Sequence, residues 1–307
     1  MSGHHHHHHH ADPDASSGRI AMAFWLNAMF AVVEFIGGML TNSTAIMADA
    51  VHDLGDALAI GFAWIMQRLS GREADARFSY GYRRFSLLAA LVNGGILIIG
   101  SVWVLSMAIP RLWAPEMPHA AGMFWLAILG VAVNGFAAVK VSKGKTLNEQ
   151  LLNWHLLEDV LGWVAVLIVS VVLLFVDWPI LDPILSIVFT LFILSNVVRH
   201  VVKTLSLFLQ AVPDRKLRQE IMDKLMEIEH IQAIHHLHLW SLDGEKHVLT
   251  AHLELDKPIS TEVQTAIKGD IADALTKYAL AHTTFEFEQI SENCRDRNEH
   301  HPPESHH

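Results

Sequence analysis

Six apolar runs govern what this chain can become. They fall at roughly 20–40, 45–69, 85–112, 123–141, 151–176 and 180–209, and each reaches the roughly 20 residues that an α-helix needs to cross a hydrocarbon core of about 30 Å. A spanning helix satisfies all its backbone hydrogen bonds internally, which open loops and sheet edges cannot do in lipid, so six transmembrane helices are expected. From about Ala211 onward the apolar runs shorten and charge returns. The sequence therefore predicts a six-helix membrane domain over 19–209, a cytoplasmic α+β domain over 210–292, a polar leader over 1–18 and a disordered tail over 293–307.

The loops set the orientation. Arg68, Arg72, Arg77, Arg83 and Arg84 lie between the second and third runs, and Lys140, Lys143 and Lys145 lie between the fourth and fifth, whereas the opposite side carries only Arg111. Basic residues are retained on the cytoplasmic side, so both termini and the C-terminal domain are expected there. The first apolar run is long, lies behind a polar leader and lacks a small-residue cleavage site, so it reads as a span and not as a signal peptide. His4 to His10 form an unbroken run of seven histidines that is either a purification tag or a native metal-gathering tail. Residues 211–307 hold 18 acidic against 10 basic residues, a surface that disfavours nucleic acid and suits divalent cations or simple solubility. The single cysteine, Cys294, excludes an intramolecular disulfide and a four-cysteine zinc site.

Ionisable residues inside the spans are the informative ones, because each costs on the order of 3 kcal/mol at the bilayer centre. The second run contains Asp49, His52, Asp53 and Asp56, whose offsets of three, four and seven place them on one helical face. The fifth repeats the arrangement with His155 and Asp159, again four apart. One imidazole and one carboxylate from each helix can converge on an ion between them. Two nitrogens and two oxygens form a tetrahedral set that suits zinc, accommodates cobalt, nickel or iron, and disfavours magnesium and calcium. Asp49 and Asp53 are candidates for an outer role, Asp49 by orienting the second ring nitrogen of His52 or by serving as an entry ligand. Glu158 points off the shared face. Glu34, Asn93, Asn134 and Asn196 are candidates for interhelical hydrogen bonds.

These segments form a recognisable pattern. The stretch from Ser43 to Asp56, STAIMADAVHDLGD, resembles the second-helix signature of the cation diffusion facilitators, and His155 to Asp159 is similar to its fifth-helix partner. Phe78 to Phe85, FSYGYRRF, is similar to the FGYxR motif that follows the second helix, and the likeness continues through His236-Leu237-His238-Leu239-Trp240 to about Cys294. With His at position 52 the chain looks like the zinc-preferring branch. The resemblance implies a zinc/proton antiporter working as a homodimer in a membrane, with a bacterial inner (plasma) membrane the expected location. Its transport site would be His52, Asp56, His155 and Asp159.

Beyond Pro213 the pattern predicts a helix over 214–229, strands over 233–242 and 246–255, a helix over 261–279 and a strand over 283–290. The period-2 set Leu249, Ala251, Leu253 and Leu255 marks one face of the second strand. Possible metal ligands recur there as His235, His236, His238, His247, His252, Glu286 and Glu288. The resemblance makes this αββαβ order a ferredoxin-like cytoplasmic domain that pairs with its twin, and it suggests His235, His252, Glu286 and Glu288 as a second zinc site.

No GxxxxGK[ST] and no Asp-Lys-Thr-Gly occur, so the driving force is expected to be an ion gradient. An imidazole must be neutral to bind metal, so loading zinc at His52 and His155 would release protons. The competing reading is an integral membrane metalloenzyme built on His/Asp clusters; no HExxH occurs to support it.

Overall fold

The computed structural model describes residues 13–70, 74–142 and 147–289. The histidine run, Arg72, Lys143, Lys145, Ile290, Cys294 and the C-terminal tail lie outside the described residues. Six long helices come first: Pro13–Thr41 (α1), Thr44–Ser70 (α2), Phe85–Ala108 (α3), Ala120–Val141 (α4), Leu147–Phe175 (α5) and Leu181–Phe208 (α6). Helix α1 begins at Pro13, inside the expected polar leader, with proline at the first helical position that its fixed φ favours. Five of the six are long and apolar enough to cross a membrane by length and composition. The exception, α2, has the length but carries Asp49, Asp53 and Asp56 within four turns. Outward-facing residues are large and apolar, including Met29, Ile36 and Leu40 on α1, Ile99 and Val102 on α3, and Val188 and Phe192 on α6. Helices that face lipid show this inversion of the usual surface.

The described residues gather into two compact units, one holding residues up to 62 together with 92–200, the other 63–91 together with 201 onward. In the first, α4 packs on α5 and on α1. Phe30, Ile46, Met123, Ala127, Trp163 and Val166 are buried together at its centre. Small residues allow close approach: a Cβ on Gly130 would stand 2.1 Å from the Trp163 ring, and one on Gly38 would stand 2.8 Å from Met47 Sδ. Such glycines let membrane helices gain dispersion contacts where the hydrophobic effect offers nothing between helices.

In the second unit, helix Arg215–Met226 (α7) is capped by Asp214, whose carboxylate accepts from the Lys216 N–H at 2.7 Å. Strands Ile231–Ser241 (β1) and His247–Leu255 (β2) pair antiparallel, helix Thr261–Leu275 (α8) follows, and strand Leu280–Gln289 (β3) pairs parallel to β2, giving the sheet order β1-β2-β3. The αββαβ order expected from alternation is present. Leu249, Ala251, Leu253 and Leu255 are all buried against Ile221, Leu225, Ile267 and Ile271 of the two helices. Strand β3 begins three residues earlier than alternation suggests, because pairing with β2 already starts at His247 and Leu280.

The segment between α2 and α3 also belongs to this unit. Asp75 accepts from the N–H groups of Arg77 and Phe78 and from the Tyr82 hydroxyl, while Gly81 turns at φ 73°, a conformation open to glycine at little cost. Arg83 donates to Asp243 at 3.1 Å in the β1–β2 turn, and the Tyr80 ring stands edge-on to Trp240 and His282. Burial pushes the Asp243 carboxyl up, but the N–H groups of Lys246 and Glu245 and the Arg83 guanidinium outweigh it and hold the group below its ordinary range.

Candidate metal centre

Helix α2 supplies His52 and Asp56 and helix α5 supplies His155 and Asp159, each pair one turn apart on one face. The structure brings all four together. One donor atom each from His52, His155 and Asp159 lies within 4.8 Å of the others. Asp56 Oδ2 stands 2.9 Å from His155 Nε2 and 3.6 Å from His52 Nε2, and Asp159 Oδ2 stands 3.8 Å from His155 Nε2. Ligand bonds of 2.0 to 2.1 Å in a tetrahedron put donor atoms about 3.3 Å apart, and the observed separations straddle that figure. Asp159 is buried and its Oδ2 has no hydrogen-bond partner among the described residues, while both imidazoles and Asp56 are part-exposed. A buried acceptor without a donor is costly unless a cation meets it. The cluster has the donor set and spacing for a divalent ion of zinc's size, with three of its four side chains part-exposed.

Around the quartet the outcome is uneven. Asp49 and Asp53 are buried, but His52 Nδ1 has no hydrogen-bond partner among the described residues, so Asp49 does not orient that nitrogen. Glu34 is fully buried and its carboxylate lies beside Asp53 and the Trp163 indole, with neither carboxylate oxygen meeting a donor in hydrogen-bond geometry. From α1 it meets side chains of α2 and α5 and so extends the acidic interior toward α1. Asn134 is buried, and Asn196 accepts from Arg199 three residues along its own helix. Glu158 is exposed, off the shared face.

The cytoplasmic candidates also converge. His235, His252 and Glu286 sit opposite one another across β1, β2 and β3. Glu288, buried, bridges the two imidazoles, with Oε1 2.6 Å from His252 Nδ1 and Oε2 2.9 Å from His235 Nε2; Glu286 Oε2 is 3.8 Å from His252 Nε2. Alternation would send His236 to the opposite face from His235. A bulge between His235 and His238, with His236 at φ 50°, turns both rings toward His252, at centroid distances of 5.0 Å for His236 and 6.1 Å for His235. His238 remains exposed.

Comparison with known proteins accounts for both halves of the chain. Residues 20–209 match the family model described as the cation efflux transmembrane domain, and residues 213–289 match that of the cation efflux protein cytoplasmic domain. Zinc transporter ZitB of Yersinia pseudotuberculosis is 32% identical over 283 residues, covering 90% of this chain and 88% of that protein. A cadmium, cobalt and zinc/H(+)-K(+) antiporter of Bacillus subtilis is 28% identical over 278 residues, covering 89% of each. The metal cation efflux system protein CzcD of Cupriavidus metallidurans is 29% identical over 280 residues, covering 90% of this chain and 88% of the other.

Proposed function

We propose a function for this chain from a fixed premise: it belongs to the cation efflux family, the cation diffusion facilitators. It is a multi-pass integral membrane transporter of metal cations. We assign it zinc as its principal cargo, moved out of the cytoplasm in exchange for protons, with six spanning helices over 19–209, both termini inside, a bacterial inner (plasma) membrane as its location, and a ferredoxin-like domain over 210–292 that pairs two copies.

The observation that carries this reading is the meeting of two His/Asp pairs, with Asp56 of α2 2.9 Å from His155 of α5. The donor set is two nitrogens and two oxygens, which favours zinc over oxygen-seeking cations. Coupling to protons follows from the same atoms: metal requires neutral imidazole and ionised carboxylate, so zinc and protons compete for one site, and alternating exposure of it converts a proton gradient into zinc efflux. Names of relatives that include zinc transporter and zinc/H(+)-K(+) antiporter support cargo and counter-ion alike. The cluster of His235, His252, Glu286 and Glu288 is assigned to regulatory zinc, which would offset the acidic charge of two adjoining domains.

The test is zinc movement in proteoliposomes under an imposed pH gradient. Flux should rise with an opposing proton gradient, collapse with a protonophore, and vanish on replacing His52, Asp56, His155 or Asp159 with Ala. Near-normal flux from any two of those variants would overturn the assignment.

A further inference from the structure

The helix that carries His52 and Asp56 does not end its own N-terminus. The first four N–H groups of an α-helix have no partner within it. In α2 these are the N–H groups of Ser43, Thr44, Ala45 and Ile46, and all are met: Ser43 N–H donates to the Gly38 carbonyl of α1 at 3.1 Å, the Thr44 and Ala45 N–H groups donate to Asp182 of α6 at 2.7 and 3.3 Å, and Ile46 N–H donates to Ser43 Oγ at 3.2 Å. The hydroxyls of Ser43 and Thr44 donate to the same carboxylate at 2.5 and 2.8 Å. One turn further along α6, Ser186 Oγ donates to the Thr44 carbonyl at 2.9 Å. Asp182 is 1% exposed. It also sits in the first turn of α6, so a single carboxylate faces the positive ends of two helix dipoles.

We propose that Asp182 is a positioning residue for the transport site: it pins the first turn of α2 to the first turn of α6 and so fixes the height and rotation at which α2 presents His52 and Asp56. His52 lies eight residues, about 12 Å, along the axis from Thr44, and Asp56 about 18 Å. A helix held by four hydrogen bonds at one end transmits any rotation there to ligands that must meet a metal within about 0.2 Å. In consequence α2 and the start of α6 move as one piece when the site changes its exposure.

The proposal rests on the quartet being the transport site, and the test separates the two. Asp182→Asn keeps the shape but turns an amide toward donors of Thr44. Cobalt bound to the full-length protein in detergent gives an intense d–d absorption only while its geometry is tetrahedral, a signature that a purely structural residue would leave intact in folded protein. Asp182→Asn is expected to weaken that band and to raise the KM for zinc about tenfold or more while the protein stays folded and dimeric. If Asp182→Asn does not fold, Thr44→Val, which deletes the Thr44 Oγ1 bond alone, is expected to shift band and KM in the same direction by a smaller factor. A folded variant with the parental band and KM overturns the proposal. All variants are made in full-length protein that lacks the histidine run and carries His235→Ala and His252→Ala, so that the cytoplasmic cluster contributes no tetrahedral cobalt; in that background His155→Ala must abolish the band, and if the band persists there, the transport-site reading fails and the Asp182 proposal falls with it.

Discussion

Gly130→Ala offers a quantitative test of how tightly the metal centre depends on helix spacing. The added Cβ would lie 2.1 Å from Trp163 Cδ2 and 2.5 Å from Cε2, atoms of a rigid ring that is fully buried and packed on Phe30. Reaching an ordinary 3.4 Å contact requires about 1.3 Å of movement of α5 relative to α4, or expulsion of the indole. Overpacking of this kind costs about 1–3 kcal/mol. Asp159 lies one turn before Trp163 on α5, and metal–ligand distances tolerate only about 0.2 Å. If that strain falls on the metal-bound arrangement, the KM for zinc rises about 5- to 150-fold, since about 1.4 kcal/mol is a factor of ten. The assay is zinc-indicator fluorescence in proteoliposomes alongside thermal melting in detergent. Gly135→Ala is the control: its Cβ meets nothing within 4 Å, so transport should be unchanged and helix propensity should favour it by about 0.5–1 kcal/mol. Parental KM and melting for Gly130→Ala would show that α4–α5 spacing does not set the site.

Three further outcomes are expected. His52→Asp exchanges a nitrogen for a hard oxygen and should move preference toward cadmium or manganese in competition uptake; an unchanged ranking places selectivity elsewhere. Burial depresses the His247 imidazole, against a smaller opposing pull from Asp243. The folded state therefore binds that proton less readily than the unfolded chain, and β2 should lose hydrogen-exchange protection as the pH falls from about 7.5 to about 5.5, a loss that His247→Phe should remove. Glu288→Gln takes the shared carboxylate from between His235 and His252 and should weaken zinc-induced compaction of the dimer in small-angle scattering, with transport only partly reduced; unchanged compaction would return the cluster to ordinary strand surface.

Much of the architecture was legible because its signals are long. Runs of twenty apolar residues have few alternatives in a chain this length, and the two His/Asp pairs announce themselves by a four-residue offset within such runs. Asp182 was not legible: it falls within the sixth apolar run just before Pro183, and its partners Ser43, Thr44 and Ala45 lie about 138 positions away. Ser43 and Thr44 do look like a helix cap, yet nothing in the sequence says that a second helix completes it. Glu34 was expected to face other helices and does, beside Asp53 of α2 and Trp163 of α5, but nothing in the sequence says that one of those neighbours is a second carboxylate. His236 was among the candidate ligands by residue type, but its place beside His235 was not legible, since strict alternation separates adjacent side chains and only the bulge reunites them.

The row formed by His235, His252 and Glu286 runs straight across three strands, and the last of them is the final strand of the domain. As the chain leaves the ribosome, β1 and β2 can pair as a local hairpin, but Glu286 and Glu288 arrive only after α8 has crossed to set β3 beside β2. Parallel pairing of this kind closes late, because it joins segments distant along the chain. The regulatory zinc assigned to this row would therefore find its full set of ligands only once β3 is in place, and a β1–β2 hairpin alone would offer it His235 and His252 without either glutamate.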